Sequence, residues 1–222
     1  MASSIRRSRK ISDPAFHLLV VSLLATVWSL IHPVDYATWF FEIFLGAIGV
    51  SVLVVTAGRF RFSRVIYLVV AVHFIILAAG AKYSYATMPL FDWLKESLDL
   101  SRNHFDRVGH FFQGLTPTLI MRELLVRKLH LPANWKVAGL SICVALAFSA
   151  SYEILEWLWV LVFYPDCGPE WLGMQGDPWD AQADMLMALC GAIIALLFFG
   201  PLQSRQIQSI EASKDFEQPS SG

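Results

Sequence analysis

The sequence is poor in charged residues and in cysteine. Only 16% of its 222 residues are charged, whereas soluble domains have about a quarter. The three cysteines include no C-x-x-C pair and are odd in number, so they offer no disulfide framework. Hydrophobic residues make up 56% of the chain. This composition predicts a polytopic membrane protein with a single domain.

Several catalytic and binding signatures are also missing. The sequence contains no G-x-S-x-G elbow, Walker loop or Rossmann fingerprint, which argues against nucleotide chemistry. It lacks H-E-x-x-H and the paired E-x-x-H of di-iron bundles. The basic residues lie in short clusters between apolar segments, and the net charge is −1. Nucleic-acid binding is therefore not predicted.

Long apolar segments predict an all-α bundle of about six transmembrane helices. A helix needs about 20 apolar residues to cross the hydrocarbon core, and no β-alternation of useful length occurs. The first apolar segment is too long for a signal-peptide core and lacks a small-residue cleavage site, so we expect it to be retained. The predicted spans are approximately 14–31, 37–57, 65–81, 107–126, 136–163 and 183–199.

The chain is predicted to divide into a basic segment (1–13), one transmembrane domain (14–201) and a polar, disordered tail (202–222). A Gly200-Pro201 pair is expected to end the last helix. Thirteen of the 17 Lys and Arg residues fall in segments on the amino-terminal side of the predicted membrane. Both termini are therefore predicted to be cytoplasmic. Residues 91–98 are amphipathic and predicted to lie along the interface.

Three stretches place acids and a histidine inside or beside apolar runs. An ionised group at membrane depth costs roughly 2.5–3.5 kcal/mol on insertion scales, so we expect these groups to face one shared cavity. With the predicted orientation, all of them lie in the outer half of the membrane. The candidate site residues are Asp106 and His110 in the fourth span, Glu153 and Glu156 in the fifth, and Asp180 and Asp184 at the start of the sixth.

A structural role is an alternative for some of these candidates and for three other polar residues. Asp106 is also typical of a headgroup-level helix start, where an acid favours the helix dipole. His110 is compatible with a packed core histidine. Asp177, just before a proline, is typical of a turn or cap. Glu42 and His73 are more typical of structural than of functional positions. The two glutamates of the fifth span are harder to explain in this way.

Three chemistries fit the candidate residues. In the first, His110 is an acid or base oriented by Asp106 or a glutamate, with a second carboxyl as its counterpart. In the second, D-x-x-x-H and D-x-x-x-D place ligands for a divalent metal on one helix face. In the third, buried carboxyl and imidazole groups relay protons for transport. The sequence leaves open whether the protein is an enzyme, whether a metal binds and what its oligomeric state is.

Three motifs surround these residues: R-N-H-F-D-R-V-G-H-F at 102–111, Y-E-I-L-E-W at 152–157 and G-D-P-W-D-A-Q-A-D-M at 176–185. Together they resemble the YjdF-like bacterial inner-membrane proteins, a family of uncharacterised molecular function. The resemblance covers approximately residues 13–201. It implies a multi-pass protein of the bacterial inner membrane.

The same motifs are similar, more distantly, to VanZ-like membrane proteins. Two departures separate this chain from that pattern. Trp157 stands near the position where a glutamine is usual, and Asp184-Met185 replaces an Asp-x-x-x-Asn ending. The antibiotic-resistance association of VanZ-like proteins is therefore not carried over.

The residues and the resemblance together predict an outward-facing Asp/His/Glu pocket in a multi-pass membrane protein. We expect this pocket to bind or process the head of an envelope lipid or a lipid-linked molecule, so that membrane lipids are its partners. Two alternatives are open, a small proton-coupled transporter and a non-catalytic accessory subunit. The apolar stretch 140–148 argues mildly against a polar path for transport.

Overall fold

The computed structural model describes residues 13–166 and 175–217, which form a bundle of α-helices without a strand in that part of the chain. A 3-10 turn (Tyr85–Thr87) precedes the helix Pro89–Ser97, and a π-helical turn (Ala195–Phe199) joins the helix Asp180–Ile194 to the helix Gly200–Glu217. The all-α prediction is confirmed. The helices are α1 (Pro14–Leu30), α2 (Tyr36–Thr56), α3 (Arg64–Tyr83), α4 (Pro89–Ser97), α5 (Phe105–Arg127), α6 (Trp135–Phe163), α7 (Asp180–Ile194) and α8 (Gly200–Glu217).

Within the described residues, four helical segments are long and apolar enough to cross a membrane: α2, α3, α6 and the continuous helix that runs from α7 into α8. The 17-residue α1 is a shorter apolar helix. Helix α5 has 23 residues and a length of about 35 Å, but it carries charged residues near both ends. It can do so because it lies inside the bundle, packed against α3, α6 and α7. The predicted polytopic bundle is confirmed.

Helix capping defines several of the predicted helix starts. The Asp13 carboxylate accepts a hydrogen bond from the Ala15 amide at the start of α1. The Asp35 carboxylate accepts one from the Thr38 amide at the start of α2. Each bond satisfies an amide that has no partner within its own helix. These polar residues before apolar runs are therefore helix caps.

Helices α5 and α7 run parallel and come into close backbone contact. A Cβ atom added to Gly114 would collide with the carbonyl of Ala188, and one added to Gly191 would collide with the carbonyl of Phe111. Small residues allow membrane helices to approach in this way. One turn before this contact, α5 carries His110 and α7 carries Asp184. The glycine contact therefore holds these two polar residues opposite each other.

Helix α8 differs from the sequence prediction. The last helix was expected to end at Gly200-Pro201, with a disordered tail from 202 to 222, but it continues as α8 to Glu217. The Gly200 amide bonds to the carbonyl of Ala195, five residues earlier, and such a widened turn can accommodate a proline that would break a regular helix. The disorder prediction is wrong for 202–217. Residues 1–12 of the predicted basic segment and residues 218–222 of the predicted tail lie outside the described residues.

Hydrogen bonds to α5 hold α8 in place. The buried Gln203 side chain donates to the Leu119 carbonyl over 2.8 Å. Arg122 donates to the Gln203 amide oxygen over 2.8 Å and to the Ser204 hydroxyl over 2.7 Å. The polar residues after Gly200-Pro201 are therefore a docking surface for α5.

Glu123 is the centre of this interface and is fully buried, with 0% exposure. Its carboxylate accepts from the Ser63 amide (2.8 Å) and hydroxyl (2.5 Å), from Arg127 (2.6 Å) and from Gln203 (3.2 Å). Arg127 also pairs with Glu211 of α8 over 2.8 Å. We call Ser63, Glu123, Arg127 and Gln203 the Glu123 network. It joins the start of α3 to α5 and α8.

Gly114→Ala should destabilise the protein. The added methyl group would force α5 and α7 apart, at a cost of about 1–3 kcal/mol for overpacking. Thermal unfolding of the purified protein in detergent measures this. Gly139→Ala in α6 is the matched control, because nothing lies within 4 Å of a Cβ at that position. Equal unfolding temperatures for the two variants would contradict the proposed role of the glycine contact.

Glu123→Gln should also destabilise the protein. The amide would present a donor to groups that now donate to the carboxylate, and it would leave Arg127 without its buried counter-charge. Removing one partner of a buried ion pair costs about 3–5 kcal/mol. The exposed Glu96→Gln in α4 is the control for the same chemical change. If both variants unfold at the wild-type temperature, the Glu123 network does not stabilise the fold.

Candidate functional site

Four of the predicted site residues meet where α5 and α7 begin and α6 approaches its end. The Nε2 atom of His110 lies 3.5 Å from Asp106 Oδ1, 3.3 Å from Glu153 Oε1 and 3.8 Å from Asp184 Oδ1. Three helices thus bring three carboxyl groups around one imidazole nitrogen. We call Asp106, His110, Glu153 and Asp184 the acidic cluster.

The acidic cluster is largely covered by the bundle but is not sealed. His110 and Asp184 are buried, with 3% and 2% exposure, whereas the side chains of Asp106 and Glu153 are each 16% exposed. Asp106 and Glu153 therefore give access from the surrounding medium. Three acids around one imidazole leave an excess of negative charge when they are ionised. Such a group is expected to attract a cation or to share protons.

The spacing of the cluster suits a single metal ion. One ligand atom from each of Asp106, His110 and Asp184 can be chosen so that all lie within 4.8 Å of one another. Tetrahedral ligands at the usual Zn²⁺ distances of about 2.0–2.2 Å are roughly 3.3–3.6 Å apart. Carboxylate and imidazole donors suit zinc and other divalent transition metals. The cluster therefore has the donor set of a metal site.

One feature of His110 is unusual for a metal ligand. Its second ring nitrogen, Nδ1, is buried and has no hydrogen-bond partner among the described residues. Histidines that bind metals usually donate from this second nitrogen to an oxygen atom. The fit to a metal therefore rests on Nε2 and the surrounding carboxyl groups.

Two arginines of α5 and the segment before it neutralise the acids at the start of α7. Arg107 pairs with Asp184, and its Nη2 lies 2.6 Å from Asp180 Oδ1. Arg102 Nη1 lies 2.5 Å from the same Asp180 oxygen. Asp177, expected at a turn or cap, accepts from the Trp179 amide over 2.9 Å and lies 3.4 Å from Arg107. These pairs bring the start of α7 onto α5.

Two predicted site residues, Asp180 and Glu156, are not bonded to the acidic cluster. Asp180 is buried, but it contacts the two arginines and not His110. Glu156 lies within electrostatic range of Asp106 and Glu153. No hydrogen bond or ion pair joins it to another residue in the part of the chain that the structure describes. Arg102 and Arg107 were not predicted as site residues, although two buried acids at a helix start require partner cations.

Glu42, expected to be structural, lies beside the cluster on a fourth helix, α2. Its carboxylate accepts hydrogen bonds from the hydroxyl of Tyr152 (2.8 and 2.7 Å) and from that of Tyr85 (3.3 Å). The Tyr152 ring centroid is 6.0 Å from that of His110. Glu42 and Tyr152 also line a cavity of about 300 Å³ between α2, α3, α5 and α6. His73, in the wall of this cavity, has its Nδ1 3.1 Å from the Thr116 hydroxyl.

The fold and the site define a polytopic α-helical membrane protein with a buried acidic centre. Residues 15–205 match the family described as "Predicted membrane protein (DUF2238)". Over 174 residues the chain is 42% identical to inner membrane protein YjdF of Escherichia coli (strain K12), covering 78% of this chain and 83% of that protein. The chain therefore belongs to this YjdF-like family of inner-membrane proteins, and the predicted family and localisation are confirmed. No solved structure matches it. The VanZ-like similarity stays a prediction.

Asp180→Asn should weaken the packing of α7 on α5. The neutral amide would leave Arg102 and Arg107 without the carboxylate that they share, and breaking such a buried arrangement costs about 3 kcal/mol or more. Thermal unfolding in detergent measures the loss. The control is Asp99→Asn, because Asp99 is exposed in the turn after α4. If Asp180→Asn unfolds like that control, the shared carboxylate contributes no stability.

Proposed function

We propose that the acidic cluster binds a divalent metal ion and, with it, the polar head of an envelope lipid or lipid-linked molecule. The observation that carries this proposal is the position of His110 Nε2, within 3.3–3.8 Å of carboxyl oxygens from α5, α6 and α7. A protein that needed only helix packing at this depth would gain more from apolar side chains.

The residues have distinct roles in this proposal. Asp106, His110 and Asp184 would hold the ion, which would supply a Lewis acid and could lower the pKa of a bound water. Glu153 lies next to His110 and is partly exposed, so it is placed to exchange a proton with a bound molecule. Arg107 holds Asp184 in position. An anionic head group would then bind to the cation and not to the carboxyl groups.

The proposal includes an orientation in which the acidic cluster faces away from the cytoplasm. Its support is the uneven distribution of Lys and Arg, of which only four of 17 fall on the cluster's side of the membrane. In that orientation the cluster would meet lipid head groups and lipid-linked molecules of the outer leaflet.

A proton-coupled carrier is the second candidate, because buried polar groups continue from the cluster along the bundle. Gln113 follows His110 on α5, and Thr116 is hydrogen-bonded to His73 of α3. The groups of the Glu123 network, at the other end of α5, are already bonded to one another. The polar residues therefore favour a site that opens at one end over a path through the membrane.

Metal binding to the purified protein tests the first candidate. Wild-type protein in detergent, stripped with chelator and titrated separately with Zn²⁺ and Mn²⁺, should bind one ion per chain by calorimetry and elemental analysis. His110→Ala and Asp184→Asn should each weaken binding by at least about tenfold, since each removes a ligand. Glu96→Gln, an exposed acid on α4, should bind like the wild type.

Far-UV circular dichroism and thermal unfolding would establish that the His110→Ala and Asp184→Asn proteins are folded. Equal metal content in these variants and in the wild type would show that the acidic cluster is not the metal site. Failure of the wild type to bind either ion would also overturn the proposal.

A further inference from the structure

The cavity beside the acidic cluster is bounded by α2, α3, α5 and α6. Its volume is about 300 Å³, at the lower end of the roughly 300–1,000 Å³ typical of ligand pockets. We propose that it receives a single hydrocarbon chain of the same amphiphile whose head binds the acidic cluster, and that the chain enters sideways from the lipid. This inference rests on the proposed function and names its substrate class: a lipid whose polar group is next to a long alkyl chain.

Most of the cavity wall is apolar, which suits a hydrocarbon chain. Aliphatic, aromatic and thioether side chains from all four helices form the apolar part of this wall. They include Leu45 and Val50 of α2, Phe74 of α3, Ile120 and Met121 of α5, and Phe148 of α6.

The wall also carries two buried polar atoms without partners. His73 Nε2 and Gln113 Oε1 have no hydrogen-bond partner among the described residues, and the two side chains are 9% and 4% exposed. An unsatisfied buried polar group costs about 1–3 kcal/mol. When the Thr116 hydroxyl donates to His73 Nδ1, Nε2 carries the proton and can donate to a ligand. A hydroxyl or amide group of the lipid could satisfy both atoms.

One of these two polar side chains, that of Gln113, connects the cavity wall to the acidic cluster along α5. Gln113 follows His110 by one turn on the same face of α5. Tyr152 lines the cavity, and its ring centroid is 6.0 Å from that of His110. One molecule can therefore place its head at the cluster, a hydroxyl or amide at His73 and Gln113, and its chain in the apolar part of the cavity.

The gap between α2 and α6 provides the lateral entrance. These helices meet near the cluster, where the rings of Phe41 and Trp159 are 4.8 Å apart, but they are not among the helix pairs that pack along their length. Further from the cluster, the lining residue Phe148 is 50% exposed, and Gly49 of α2 is exposed as well. An opening on this apolar flank would face lipid chains, not water.

Photolabelling in liposomes tests the inference. The 222-residue protein is reconstituted in liposomes of phosphatidylethanolamine and phosphatidylglycerol. These liposomes contain a small fraction of a single-chain alkyl phosphate as the probe. This probe carries a hydroxyl near the head and a diazirine at mid-chain. Peptide mass spectrometry should locate the label on cavity-lining residues such as Met121 and Phe148. Gly49→Phe, which fills the entrance, should reduce this label at least about fivefold.

Gly139→Phe is the matched control, since a Cβ at either glycine meets nothing within 4 Å and Gly139 is not in the cavity wall. It should be labelled like the wild type. Undiminished labelling of the cavity in Gly49→Phe, or label spread evenly over the outer faces of the bundle, would overturn the inference. A probe without the hydroxyl should label the cavity less, and equal labelling would exclude the role of His73 and Gln113.

Metal titration of the same proteins separates this inference from the proposed function. Gly49→Phe should bind metal like the wild type, because Gly49 is remote from the cluster ligands. Cavity labelling in a wild-type protein that binds no metal would remove the proposed function and leave a lipid-chain site. Metal binding without cavity labelling would remove the chain site and leave the proposed function.

Discussion

The close approach of α5 and α7 is the constraint on which the rest of the structure depends. Gly114 and Gly191 each lie against a carbonyl of the facing helix, so the two backbones meet without intervening side chains. At that distance Arg107 can reach the acids of α7, and Asp184 can reach His110. A wider spacing would leave charged groups without partners at membrane depth, where each is costly.

The two polar centres of the bundle differ in how completely their groups are bonded. Both carboxylate oxygens of Glu123 accept hydrogen bonds, as expected of a structural network. In the acidic cluster, three carboxyl groups instead crowd one imidazole. A structural role accounts for the Glu123 network, because its carboxylate is fully hydrogen-bonded. A structural role does not account for the excess of acids in the acidic cluster.

The sequence predicted the helical bundle and the convergence of Asp106, His110, Glu153 and Asp184, because apolar length and the cost of buried charge are local properties. It could not decide which of two glutamates three residues apart faces His110, since this depends on the rotation of α6. It missed α8, because a Gly-Pro pair and a polar sequence are typical of a helix end. A π-turn and buried partners on α5 override both signals.

The order of the arginines and acids along the chain has a consequence for biosynthesis. Arg102 and Arg107 precede Asp180 and Asp184, so a ribosome delivers the cations to the bilayer before the anions that pair with them. The acids at the start of α7 are therefore synthesised after the arginines with which they pair.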